Sequence, residues 1–366
     1  MAKYHQVVDW LSEQIVSQQI LPGTKLESEN ELSQRFQVSR QTVRRALEVL
    51  QKRNLIESVK GSGSFVKIPE DMRREKQIKT VYIISTYVDS YIFPKIIRGM
   101  SEVLSKEDYN ISLMFTQNRL EDERRCLEKI LRENIPGALI AEPVKSGLPN
   151  PNLDLYQELK KRGYVMLFFH SSYPQLKVPC VEMNDFQAGK LAAEYLIQQG
   201  HRKIGGIFKF DDRQGPERYR GYVSALREAG IPIDERSVLW YDTVLQEDFL
   251  QDILKSYLKE RAEELTALLC YNDEIAHLLT QIFKSMNRAV PEDMSLICID
   301  NSELAILNSV PLTCVTHPME KLGRKTAENL LKLMRNSAYD ASYQFEAELV
   351  IRSSVKPCSD EGLMSR

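Results

Sequence analysis

An α/β architecture is predicted for most of this 366-residue chain, preceded by a small unit of helices and one hairpin. Three observations predict it. Residues 28–66 read as two short helices followed by a glycine-tipped hairpin. From Thr80 onward, apolar strand-like runs alternate with amphipathic stretches, the pattern of parallel sheets with helices on both faces. Between these parts lies PEDMRREKQIK (69–79), charged and nearly free of core residues, which is the composition of a linker. The expected boundaries are therefore 1–68, 69–79 and 80–366. Roughly 285 residues exceed one comfortable core, so the last segment is expected to form two doubly wound lobes sharing a cleft.

The N-terminal elements follow from capping and periodicity. Ser28 with Glu31 three residues on forms a capping box that opens a helix running through Leu32 and Phe36. Ser39 is placed to cap a second helix beginning at Arg40, in which Val43, Ala46, Leu47 and Leu50 make one apolar stripe. Arg40, Gln41, Arg44 and Arg45 fall off that stripe. Arginine pairs bidentately with guanine and glutamine with adenine in the major groove, so this helix has the chemistry of a base reader. Leu55–Val59 reads as a strand and Phe65–Val66 as its return. Gly61 and Gly63 between them permit positive φ and close approach to a phosphate backbone. In this order the elements make a winged helix-turn-helix. The candidate DNA face is Lys3, Tyr4, Glu29, Ser39, Arg40, Gln41, Thr42, Arg44, Arg45, Lys60, Gly61, Ser62 and Gly63. Each piece alone also fits a surface helix with a solvated basic face; their order and spacing favour the reader.

Charge agrees with a binding head on a near-neutral body. Residues 1–68 hold ten Lys or Arg against seven acids, while the whole chain has a formal net charge of −2. In the body, strands are expected near 81–84, 111–115, 137–141, 164–169, 204–208, 237–241, 266–270 and 295–299, with a helical stripe at Ile96, Ile97, Met100 and Leu104. Six cysteines are scattered without a CxxC pair, several inside apolar runs, and read as core fillers. Five histidines show no ligand spacing, so neither a metal nor another cofactor is expected. Neither a GxSxG elbow nor a GxxxxGK loop occurs, and no enzyme activity is expected. With no apolar segment of about 18 residues and no leader at Met1, the expected location is the cytoplasm.

Residues 4–66 resemble the GntR-type winged helix through ILPGTKLESENELSQRFQVSRQTVRRALEVL, LIE and GSGSFV. The chain departs from that family's pattern at Glu27, usually Pro, and Asn54, usually Gly. Asparagine tolerates the left-handed conformation, so the second change is mild. Residues 80–353 resemble the LacI/GalR effector domain, itself similar to periplasmic sugar receptors. FPKIIRGM (93–100), NDFQAGKLAAEYLIQQGHRKIGGI (184–207), ERYRGYVSALREAGI (217–231), ALLCYNDEIA (267–276), VPEDMSLICIDNSELA (290–305) and PLTCVTHPMEKLG (311–323) carry that resemblance. It implies that Arg218 and Asp273 bind sugar hydroxyls, that Tyr91, His170, Met183, Asn184 and His317 line the pocket, and, more weakly, that Glu142 and Lys145 join them. The pairing of head and body, with EPVKSGLPNPN (142–152) and GIFKFDDRQG (206–215), resembles the arabinose-responsive repressors of Gram-positive bacteria. The resemblance implies a homodimer on a palindromic double-stranded DNA operator, released by a monosaccharide, L-arabinose. The LacI-type hinge helix with its Leu wedge is not visible in 69–79. The alternatives are a sugar-binding receptor, which lacks a reason for residues 1–68, and an α/β enzyme acting on a sugar.

Overall fold

The computed structural model describes residues 3–17, 19–59, 63–67, 79–89, 91–133, 135, 137–244 and 247–358. The chain divides into two compact units, one of residues 1–77 with Met334–Ser337, the other of residues 78–333 and 338–366.

In the first unit α1 (Lys3–Val16), α2 (Glu29–Phe36) and α3 (Arg40–Lys52) precede the antiparallel pair β1 (Ile56–Val59) and β2 (Gly63–Val66). The capping box forms: Ser28 Oγ accepts from Glu31 N–H, and Ser28 N–H donates to Glu31 Oε2 at 2.7 Å. Ser39 Oγ likewise accepts from Thr42 N–H at 3.2 Å and starts α3 at Arg40. The expected stripe of Val43, Ala46, Leu47 and Leu50 is buried against Val7, Val8, Leu11, Leu32, Ile56 and Val66. Asn54 has φ 63°, the left-handed conformation that its glycine counterpart would take. Lys60, Gly61, Ser62 and residues 69–78, which hold the wing tip and nearly all of the expected linker, lie outside the described residues.

The second unit contains two six-stranded sheets. The first lobe has the order β13-β7-β6-β5-β3-β4, where β3 is Thr80–Ser85, β4 Asn110–Phe115, β5 Gly137–Ala141, β6 Val165–Phe169, β7 Cys180–Met183 and β13 Tyr343–Phe345. All its pairings are parallel. The second lobe has the order β14-β12-β11-β10-β8-β9, with β8 Ile204–Lys209, β9 Val238–Tyr241, β10 Ala267–Cys270, β11 Ser295–Asp300, β12 Thr313–Thr316 and β14 Glu348–Val350. Here β14 is antiparallel to β12, a departure from the all-parallel expectation. The eight expected strands form, with shifted ends; β7, β12, β13 and β14 are additional. Because β7, β12 and β13 are each followed by an element of the other lobe, the chain crosses between the lobes three times. Cys180, Cys270, Cys298 and Cys314 are buried among the apolar clusters.

Two glycines bring the helices beneath the cleft together. In α7 (Asp185–Gln198) a Cβ on Gly189 would lie 2.0 Å from the Arg218 carbonyl oxygen, and in α8 (Gln214–Glu228) one on Gly221 would lie 2.0 Å from the Phe186 carbonyl oxygen. No side chain fits at either point, and this contact sets Arg218 beside Asp185.

Candidate functional site

Strand carboxyl ends of both lobes meet across a cleft, the location at which open α/β sheets place ligands. Counting its open solvent mouth, the cleft holds about 610 Å³ of empty space. Its floor is Arg218. The side chain is 2% exposed; Nε donates to Asp185 Oδ1 at 2.8 Å, Nη2 to Asp300 Oδ1 at 3.1 Å and Nη1 to the Tyr271 carbonyl at 2.6 Å. The guanidinium also stacks 4.6 Å from the Tyr271 ring centroid. Burial alone would lower its pKa, but Asp300 and Asp185 outweigh that and hold it above the ordinary arginine value.

Asp300 ends β11 with φ 99° and accepts from Tyr91 Oη at 2.7 Å as well as from Arg218. Tyr91 has one proton and reaches two carboxylates, since Asp273 Oδ1 is its other acceptor. Asp273 Oδ2 accepts from Ser302 N–H. Burial, with Asp300 nearby, pushes the Asp273 carboxyl up to about 6. The neighbouring Glu274 is also pushed up to about 6, chiefly by burial.

Glu142 and His170, on the first lobe, form a row with His317, which follows β12 of the second lobe and donates its N–H to the Asp300 carbonyl at 3.1 Å. Glu142 Oε1 lies 2.8 Å from His170 Nδ1, and the His170 and His317 rings are perpendicular with centroids 4.9 Å apart. Burial, together with His170 and Arg218, drives the His317 pKa well below the ordinary histidine value and keeps the ring neutral. Among the described residues, His170 Nε2, His317 Nδ1 and Ser171 Oγ are buried without a hydrogen-bond partner, and all three residues line the cleft. A buried polar atom without a partner is costly, so a ligand that supplies one gains affinity.

The lobes are also joined beside the cleft. Asn118, after β4, donates from Nδ2 to Asp212 Oδ1 at 2.9 Å and to Thr243 Oγ1 at 2.7 Å in the second lobe, while Oδ1 accepts from Lys145 N–H at 2.8 Å. Lys145 Nζ sits 3.8 Å from Asp211, and Lys209 Nζ 2.6 Å from Asp212. Tyr91, Asn118, Lys145, His170 and Asp300 all have positive φ, a conformation that costs non-glycine residues about 1–3 kcal/mol and gathers at functional sites.

Of the sequence candidates, the structure brings Tyr91, Glu142, His170, Arg218 and His317 to the main cleft. Met183 and Asn184 line an adjoining recess shared with His170, and Asn184 also caps α7. Asp273 does not line the cleft. Asn272 caps α10 (Asp273–Ser285), so Asp273 occupies the first helical position and faces Tyr91 and Ser302. Asn272, Glu274 and Asp300 line the cleft instead, and the sequence reading missed them. Asp300 carried a usable signal: it follows the apolar run Leu296–Ile299, at a strand's carboxyl end.

In the head, Ser39, Arg40, Gln41, Arg44 and Arg45 are exposed along one end of α3. Arg44 is bidentate to Glu29, at 3.2 Å from Nε and 3.0 Å from Nη2, and Arg45 lies 4.7 Å over the Tyr4 ring. Thr42 Oγ1 is 2.9 Å from Ser39 Oγ, tying that hydroxyl to the cap. Lys3 opens α1, and Gly63 has φ 112°. The first turn thus presents Arg40 and Gln41 outward.

Residues 3–66 match the family described as bacterial regulatory proteins, gntR family, and residues 193–355 match a periplasmic binding protein-like domain. The arabinose metabolism transcriptional repressor of Geobacillus stearothermophilus is 35% identical over 359 residues, covering 97% of this chain and 98% of that protein. Its counterpart in Halalkalibacterium halodurans is 33% identical over 368 residues, covering 98% of each. Among solved structures, the transcription regulator CcpA of Lactococcus lactis aligns with a TM-score of 0.67 at 25% identity, over 76% of this chain and 100% of that one.

Proposed function

Because this chain belongs to the family of arabinose metabolism transcriptional repressors, we propose that it is a homodimeric repressor whose cleft binds L-arabinose and whose heads then leave a palindromic operator. The observation that carries the reading is the chemistry of the cleft. A pentose offers hydroxyls that both donate and accept and a carbon face that stacks on rings. The cleft offers Asp300, Glu274, Arg218, two unpartnered imidazole nitrogens and the rings of Tyr87, Phe93 and Tyr271.

Arg218 is held from three sides before any ligand arrives, so it presents a preorganised charge and no rotamer freedom is lost on binding. Residues of both lobes line the cleft, so a bound sugar favours whichever lobe arrangement lets both reach it. In the head, α3 reads base edges and the two heads of a dimer match two half-sites. Sugar and operator then favour different states of one molecule, a negative coupling whose usual size is about 1–3 kcal/mol.

The test uses full-length protein and a duplex that the protein itself selects from random DNA. Fluorescence anisotropy at fixed salt should show specific binding that L-arabinose reverses and D-glucose does not. Failure to select any duplex, or binding unaffected by L-arabinose, would overturn the proposal.

A further inference from the structure

We infer that Glu142 locks His170 into the role of hydrogen-bond acceptor, and that His170 Nε2 receives the proton of one particular sugar hydroxyl, so that this pair rejects sugars lacking that hydroxyl. The inference deepens the reading of the cleft as a sugar site and rests on it.

Glu142 follows β5, with its N–H donating to the Ile84 carbonyl at 2.8 Å. Its Oε2 accepts from Ser85 Oγ at 3.1 Å, Thr86 N–H at 2.7 Å and Thr86 Oγ1 at 2.7 Å. Every group around that oxygen is a donor, so the carboxyl acts as an acceptor throughout, and the 2.8 Å contact from Oε1 to His170 Nδ1 requires the hydrogen on Nδ1. In the neutral ring, the protonation state inferred for His170, hydrogen on Nδ1 leaves Nε2 as an acceptor. The carboxylate is therefore a positioning group: its own oxygens are engaged, and it acts on the ligand through the imidazole.

Among the described residues, none donates to Nε2. The His170 ring is packed against Phe169 at 5.0 Å, Phe93 at 5.9 Å and the perpendicular His317 at 4.9 Å between centroids. His317 is kept neutral and its own Nδ1 is also unpartnered. Arg218 lines the same cleft, but three of its five N–H groups are engaged by Asp185, Asp300 and Tyr271, and none of the five bonds to His170 Nε2. A buried acceptor among rings, facing a cleft, is completed by a hydroxyl arriving with the ligand. Its backbone supports this placement: His170 has φ 64° and its N–H donates to the Val181 carbonyl at 3.0 Å, which turns the side chain out of the β6 direction.

Nitrogen-15 NMR of histidine-labelled protein, with His170→Asn used to assign the resonance, should show His170 protonated at Nδ1 and bare at Nε2. In Glu142→Gln, whose amide can donate to Nδ1, the tautomer should invert. Calorimetry with L-arabinose and its monodeoxy and monofluoro analogues should find one position whose loss costs the wild-type protein about tenfold to hundredfold in affinity. Glu142→Gln should lose that one discrimination and keep the ranking of the other analogues. A protonated Nε2 in the wild type, or an equal loss of affinity for every analogue in Glu142→Gln, would overturn the inference. If no sugar binds the wild type, the functional reading fails on that result, while the tautomer still decides the acceptor assignment. The wild-type analogue series also stands should Glu142→Gln not fold.

Discussion

Replacing Gly189 by alanine tests how the backbone positions the cleft. The added Cβ would sit 2.0 Å from the Arg218 carbonyl oxygen and 2.8 Å from its Cα, where ordinary contact begins near 3.4 Å. The α7–α8 contact must therefore open by about 1.4 Å, and Arg218 belongs to the helix that moves. Its bonds of 2.8 Å to Asp185 and 3.1 Å to Asp300 would stretch past useful length. Overpacking costs about 1–3 kcal/mol, and a charged hydrogen bond is worth about 1.5–3 kcal/mol. Against that, alanine gains only about 1 kcal/mol of helix propensity over glycine. The loss wins. Calorimetry should show L-arabinose affinity down at least about tenfold, while anisotropy shows operator affinity retained and unresponsive to sugar. Wild-type sugar affinity in a folded Gly189→Ala protein would refute the link between the glycine contact and Arg218.

Arg40→Ala and Arg44→Ala should each weaken operator binding by about 1–3 kcal/mol at matched salt with sugar affinity unchanged, read by anisotropy and calorimetry. Asn118→Ala removes two hydrogen bonds that span the lobes and one that stays within the first; small-angle scattering should show a more open body, and sugar affinity should fall by about 1–3 kcal/mol. Asp273→Asn tests the buried carboxylates. The folded Asp273 carboxyl is raised from 3.8 to about 6, so the folded state holds the proton more tightly than the unfolded chain does. The ionised group burdens the fold above pH 6, and the burden lifts as pH falls from about 6 towards 4. Chemical denaturation should show wild-type stability rising relative to Asp273→Asn over that window; a constant difference would contradict the assignment.

Much of the head was legible because its signals are local. A cap at Ser39, a capping box at Ser28 and a 3.6-residue stripe depend on neighbours within a few positions. Short strands were not. β7, β13 and β14 are only three or four residues long, and β13 and β14 pair with strands far away in the chain, so a window of sequence holds little of what fixes them. The cleft was half legible. Arg218, His170 and His317 were found through resemblance, yet the role of Asp273 depended on one residue of helical phase: Asn272 takes the cap, and the next side chain turns away from the cavity towards Tyr91. Nothing local in the sequence announces that Gly189 and Gly221 meet, or that Asn118 reaches Asp212, because both depend on how separate elements dock.

The central claim is that sugar in the cleft and operator on the heads oppose each other, and linkage makes this reciprocal. Calorimetric titration of full-length protein with L-arabinose, alone and saturated with its selected duplex, measures it most directly. The account predicts that operator lowers sugar affinity by the same factor by which sugar lowers operator affinity, about 5-fold to 150-fold. Equal sugar affinities in the two titrations would contradict it, even if both sites bind their ligands.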